Sequence, residues 1–254
     1  MKKSPLCIVF FMLSLSLMAT ETKVTVRAKA KDAKFIGSSI GGAYIIIRNT
    51  LTDEILAQGK TEGSTGNTTL IMKTDRKRGV PISDEHSAKF LATIDIEEPV
   101  FVKIEAHAPL NRKQATAVAS TELWLIPGKH LSGDGVILEV PGFVVDILNP
   151  RTHQYIKLDD VKNTPFNIQA NVVMMCGCTI SSGGTWNSDD MEVSAIVKKD
   201  GVLFNELPLA LASVNLFEGS IRITEPGHYE VIVYAYNEKS GNTGVDKVNY
   251  VISQ

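Results

Sequence analysis

Long apolar runs, paired histidines, clustered cations and sustained helical periodicity are all scarce in this sequence, and each scarcity removes a class of protein. Beyond residue 20, no apolar run approaches the ~20 residues that a membrane-spanning helix needs, so no membrane span is expected. Lys and Arg number 26 and Asp and Glu 28, for a formal net charge of −2. Nucleic-acid binding requires clustered cations to neutralise phosphates. The one basic run, "KTDRKR" at 73–78, is short and interrupted by Asp75, and it reads as a solvated loop. No nucleic-acid partner is therefore expected. The histidines, His86, His107, His130, His153 and His228, are scattered. Without a His-x-His or His-x-x-x-His pair they offer no metal claw, and no Gly-x-Ser-x-Gly marks a nucleophile elbow. Asp134, between Gly133 and Gly135, lacks the acidic ladder of a calcium loop and reads as part of a turn before a strand. Cysteine is nearly missing: there are three, Cys7, Cys176 and Cys178. So small a number excludes a disulfide framework and leaves stability to apolar cores. Together these absences predict a protein that is not an enzyme.

What is present begins with an export signature. Lys2 and Lys3 precede the apolar run "LCIVFFMLSLSLM" at 6–18, and polar sequence begins at Thr20. That run is too short for a comfortable span and reads as a secretory signal, residues 1–19, cleaved after Ala19. Cys7 lies inside the run with no small-residue lipobox before it, which argues against a lipid anchor. A bacterial protein with this start is expected in the periplasm or outside the cell. Loss of Lys2 and Lys3 with the signal takes the formal charge from −2 to −4. The remaining chain of about 235 residues suits one large or two ordinary domains.

Period two dominates that chain. In "KVTVRAKAK" Val24, Val26, Ala28 and Ala30 alternate with polar residues, as in a half-buried strand. Val100, Val102, Ile104 and Ala106 share one parity, with Lys103, Glu105 and His107 on the other. The stretch "GAYIIIRNTLTDEILAQGKTEG" reads as a hairpin: an apolar strand, a polar turn around Thr52-Asp53-Glu54, and a return from Ile55. With Gly42-Ala43 before it and Gly59-Lys60-Thr61 after it, this stretch resembles the opening of transthyretin-like and carboxypeptidase-regulatory-like modules. The resemblance covers about 25 residues and implies a β-sandwich. The glycine usual in that turn is Asp53 or Glu54 here.

Pro150 and Pro165 bracket a polar stretch without clear alternation, the composition of a connection between domains. The expected organisation is a transthyretin-like sandwich over 20–148, a linker over 149–163 and a second sandwich over 164–254. In the second, Phe166, Ile168, Ala170, Val172, Met174 and Cys176 form one face of a strand, and Met191, Val193, Ala195 and Val197 one face of another. The run Glu225-Pro226-Gly227-His228-Tyr229-Glu230-Val231 resembles the tyrosine corner of immunoglobulin-like domains, with Val231 where those domains carry cysteine. That resemblance implies an immunoglobulin-like sandwich in which the Tyr229 hydroxyl bonds back to upstream backbone. The fold class expected overall is all-β, two β-sandwich domains.

The question left is "VVMMCGC" at 172–178. With Val231 at the corner, neither cysteine has the usual inter-sheet partner. On an extended strand, positions i and i+2 stand about 6.5–7 Å apart, at the limit for a disulfide. Gly177 could fold the strand end and close that distance. If instead the strand from Met191 is the hairpin neighbour, counting places Met191 opposite Cys176, and Met174, Cys176, Cys178 and Met191 would gather four sulfurs. Thiolate and thioether ligands select Cu(I); zinc would need help from His228, Asp189 or Asp190. The alternatives are thus a core or disulfide role, a Cu(I) site, and thiol–disulfide or other enzymatic chemistry. Trp186, in the glycine-rich loop beyond, is expected to pack over the sandwich end. The leading functional expectation is a non-catalytic binding or structural module for a protein or glycan partner.

Overall fold

Alternating apolar residues build the first half of the chain into two facing sheets. The computed structural model describes residues 19–254; apart from Ala19, the expected signal lies outside them. The strands are β1 (Thr20–Ala30), β2 (Tyr44–Asn49), β3 (Ile55–Lys60), β4 (Phe90–Ile96), β5 (Val100–Ala108), β6 (Ala117–Leu125) and β7 (Leu131–Val140). One sheet runs β4-β1-β7 and the other β3-β2-β5-β6. β1 is antiparallel to β4 and parallel to β7. Val24, Val26 and Ala28 of one sheet and Ile45, Ile47 and Ile104 of the other are buried in a common core. The hairpin β2–β3 forms as read. Its turn uses Asp53 at φ 60°, where the resembled modules place glycine, and Asn49 Oδ1 accepts the Leu51 and Thr52 amides at 2.9 and 3.3 Å. An Asn side chain that mimics a backbone turn in this way stabilises the reversal locally.

β1 departs from its pattern. A half-buried strand would leave Arg27 and Lys29 in water, yet they are 3% and 5% exposed. Residues 61–89 fold back over that face and add a second small core of Phe35, Ile71, Ile82 and Ala88. The Arg27 guanidinium donates to the carbonyls of Ser87 and Ala88 at 2.6 and 3.0 Å. Asp134 clamps the same segment by accepting the Ile82 amide at 3.0 Å, the Ser83 amide at 2.9 Å and the Ser83 hydroxyl at 2.6 Å. A buried cation and a loop covering a sheet both need these polar partners.

The second half comprises β8 (Phe143–Asn149), β9 (Gln154–Lys157), a one-turn helix α1 (Leu158–Val161), β10 (Phe166–Met174), β11 (Ile180–Ser181), β12 (Trp186–Asn187), β13 (Glu192–Lys199), β14 (Val202–Pro208), β15 (Ala210–Ser213), β16 (Leu216–Ile221), β17 (Gly227–Asn237) and β18 (Asn242–Ser253). Its sheets run β15-β16-β10-β8 and β14-β13-β17-β18-β9, with a small β11-β12 pair. The boundary read at 148 moves. β8 pairs with β10 of the second sandwich, and β9, inside the expected 149–163 linker, pairs in parallel with β18. The turn Pro141-Gly142 joins the halves instead. β8 hides its membership because Phe143, Val144 and Val145 are all buried, which erases period two, and β9 is a short edge strand in polar sequence.

The two sandwiches dock on one another, and their cores form one apolar cluster. The Asn242 side chain spans the joint: its oxygen accepts the Gly142 amide at 2.8 Å and its amide donates to the Lys31 carbonyl at 3.0 Å. Arg112 of the first half pairs with Asp146 of the second at 2.8 Å.

Candidate functional site

At the end of β10 the chain turns where glycine allows it. Gly177 adopts φ 75°. Its amide donates to the Met174 carbonyl at 2.7 Å, and the Met174 amide to the Cys178 carbonyl at 3.1 Å. The turn draws the Cys176 and Cys178 Cα atoms to 5.4 Å, and the two sulfurs are bonded. That separation lies well inside the normal disulfide range, whereas an extended strand stands at its limit. A Cβ on Gly177 would stand 3.3 Å from Cδ1 of Ile40, so the cysteine turn rests against the first sandwich. "VVMMCGC" is therefore the strand end and disulfide turn that forms part of the joint. Met174, Met175 and Cys176 are buried there.

This arrangement corrects the four-sulfur set. Disulfide sulfurs are no longer thiolates and offer no Cu(I) pair. Met191 stands at the head of β13, which pairs with β14 and β17 in the other sheet. The hairpin count failed because residues 179–190 cross between sheets rather than turn within one. The zinc helpers do not gather either. Asp190 is paired with Lys239 at 2.6 Å, and His228 begins β17, whose far end, Asn237, holds the Asp190 carbonyl at 3.0 Å. Among the described residues no group of three or more His, Cys, Asp or Glu converges as metal ligands. Trp186 does more than cover the sandwich end: its indole N–H donates to the Asp32 carbonyl at 2.8 Å across the joint.

The opposite end of the second sandwich carries the tyrosine corner. The Tyr229 hydroxyl donates to the Glu225 carbonyl at 2.9 Å. Its ring stacks on Tyr250 at 5.3 Å and meets Phe204 edge-on at 5.5 Å. Gly227 leaves room for Lys199 and Asp200, whose side-chain atoms lie 2.8 and 3.0 Å from where a Cβ would stand.

Beside this corner a half-open cleft of about 720 Å³ is lined by His153, Tyr155, Lys198, His228, Glu230 and Asn249. His153 holds the left-handed conformation, φ 55°, uncommon away from glycine and often kept at functional positions. Its amide donates to the Asn249 carbonyl at 2.5 Å. The imidazole then meets the Tyr155 ring edge-on at 5.3 Å, and Tyr155 is 66% exposed. Glu230 sits between Lys198 at 3.6 Å and Lys247 at 3.2 Å, and Asp200 accepts the His228 amide at 3.0 Å. Sequence reading missed this cleft because His153 and Tyr155 lay in the supposed linker. Their i, i+2 spacing in "THQYIK" was the available signal.

No family model matches the chain, and no curated protein matches it. Among solved structures, an engineered protein aligns at 16% identity and a TM-score of 0.33, over 51% of this chain and 24% of that one. The chain thus spans about a quarter of that protein. The fibronectin(III)-like modules of CbhA from Clostridium thermocellum align at 13% identity and a TM-score of 0.29, over 92% of this chain and 94% of theirs. Likenesses this slight carry no functional argument, and the all-β sandwich assignment rests on the strand pairing itself.

Proposed function

We propose that this is an exported, non-catalytic binding protein that takes a carbohydrate in the cleft beside Tyr155. The observation that carries this reading is the exposed Tyr155 ring, steadied by His153 among side chains that donate and accept hydrogen bonds. A sugar presents an apolar C–H face and a rim of hydroxyls. An aromatic face flanked by Asn249, Glu230 and Lys198 complements both. Glu230 is held between Lys198 and Lys247, where its carboxylate can accept a hydrogen bond from a hydroxyl. Export is supported by the sequence start and by the Cys176–Cys178 disulfide, which persists in oxidising compartments. Protein recovered from the periplasm should begin at Thr20 by mass.

The test is calorimetric titration with neutral oligosaccharides of glucose, xylose, mannose and N-acetylglucosamine. At least one should bind saturably. Tyr155→Ala should weaken it tenfold or more, and Tyr155→Phe should retain most of the affinity. Absence of saturable binding, or an alanine variant that binds like wild type, would refute the reading.

A further inference from the structure

A second cleft, of about 620 Å³, opens at the joint between the sandwiches, at the other end of β17 from Tyr155. Its charged lining is Lys29, Lys31, Arg76 and Lys239 against Asp32 and Glu139. Four cations face two carboxylates, in a chain whose formal charge is −2. A crevice with low-dielectric walls focuses such a local excess, and Ile71 and Met72 supply an apolar wall.

The cations are not equally engaged. Lys29 pairs with Glu139 at 3.3 Å and Lys239 with Asp190 at 2.6 Å. Among the described residues, Lys31 and Arg76 have no ion-pair partner. The backbone that places Lys31 is fixed from the other sandwich: Asn242 donates to the Lys31 carbonyl and Trp186 to the Asp32 carbonyl. Arg76 belongs to "KTDRKR", which sequence alone made a solvated loop. That loop is exposed, Arg76 included, and Arg76 lies at the mouth of the joint cleft.

We infer that the joint cleft binds an anionic ligand bearing carboxylate or sulfate groups, held by Lys31 and Arg76 of the first sandwich and Lys239 of the second. A guanidinium fork matches a planar or tetrahedral oxyanion, and an ammonium has three donors, so Lys239 can serve Asp190 and the ligand together. Because the cations come from both halves, the bound anion also bridges them.

The experiment is titration of the full chain with oligogalacturonate, a heparin-derived oligosaccharide and citrate, at low and at high salt. Saturable binding of at least one is expected, weakened more than tenfold by high salt and by the Lys31→Ala/Arg76→Ala double variant. Circular dichroism and the thermal midpoint confirm that this variant folds. Preference for either oligosaccharide over citrate identifies an acidic sugar chain; equal binding of citrate identifies a small free anion. Tyr155→Ala should leave this binding intact, and loss in that variant would move the anion to the other cleft and overturn the assignment. No saturable binding of any probe, or a double variant that binds as tightly as wild type, overturns it as well.

Discussion

Tyr229 and Tyr250 lie opposite each other in β17 and β18, and their hydroxyls fare differently. That of Tyr229 donates to the Glu225 carbonyl; that of Tyr250 is buried without a partner among the described residues. Burial raises the pKa of both phenols, and Lys199 partly offsets it at Tyr229. Deleting a satisfied hydroxyl loses a net hydrogen bond, on the order of 1 kcal/mol, whereas deleting an orphaned one removes a desolvation penalty. Tyr229→Phe should therefore lower the urea midpoint, with the slope unchanged. Tyr250→Phe should leave it or raise it. The same sign in both variants would contradict this account of the corner.

At the scale of elements, the segment 61–89 is fastened by carboxylates that respond to pH. Burial pushes the Asp134 carboxyl up, but the Ser83 hydroxyl, the Ile82 and Ser83 amides and Arg27 outweigh it, so its pKa ends below the ordinary range. The Asp84 carboxyl is held down as well, first by the Ser87 hydroxyl. A carboxylate with a depressed folded-state pKa contributes stability above its unfolded pKa of about 3.9, and that contribution fades as pH falls through the folded value. Below about pH 4, segment 61–89 should lose protection in amide exchange before the sheets do. Asp134→Asn should remove part of that pH dependence; an unchanged acid profile would show that the clamp is not coupled to the segment.

For the whole molecule, the joint decides whether two sandwiches behave as one body. Trp186 is 8% exposed and reaches across to Asp32. Truncating a buried tryptophan costs about 3–5 kcal/mol. Trp186→Ala should split a single unfolding transition into two, and small-angle scattering should show a larger radius of gyration. One transition at the wild-type midpoint would mean that the remaining contacts hold the halves without it.

Local periodicity was enough to read the strand faces of β5, β10 and β13, the hairpin at Asp53 and the tyrosine corner. In each, a residue's environment is set by neighbours one or two positions away. It was not enough for β1, β8 and β9. Arg27 looked solvent-facing because the loop that buries it begins more than thirty residues later, and a strand buried on both faces has no period to read.

What the sequence determined by itself was the all-β class and the parity of strands such as β5, β10 and β13, because steric and hydrophobic preferences act over a few bonds; that Gly177 closes a Cys176–Cys178 disulfide was one of several open readings until the structure chose it. Only the tertiary structure decided which sheet each strand joined, that Met191 stands away from the cysteines, and that Lys31 shares a cleft with Lys239 and Tyr155 one with Asn249. Those pairings depend on contacts between residues far apart in the chain, and no local pattern encodes them.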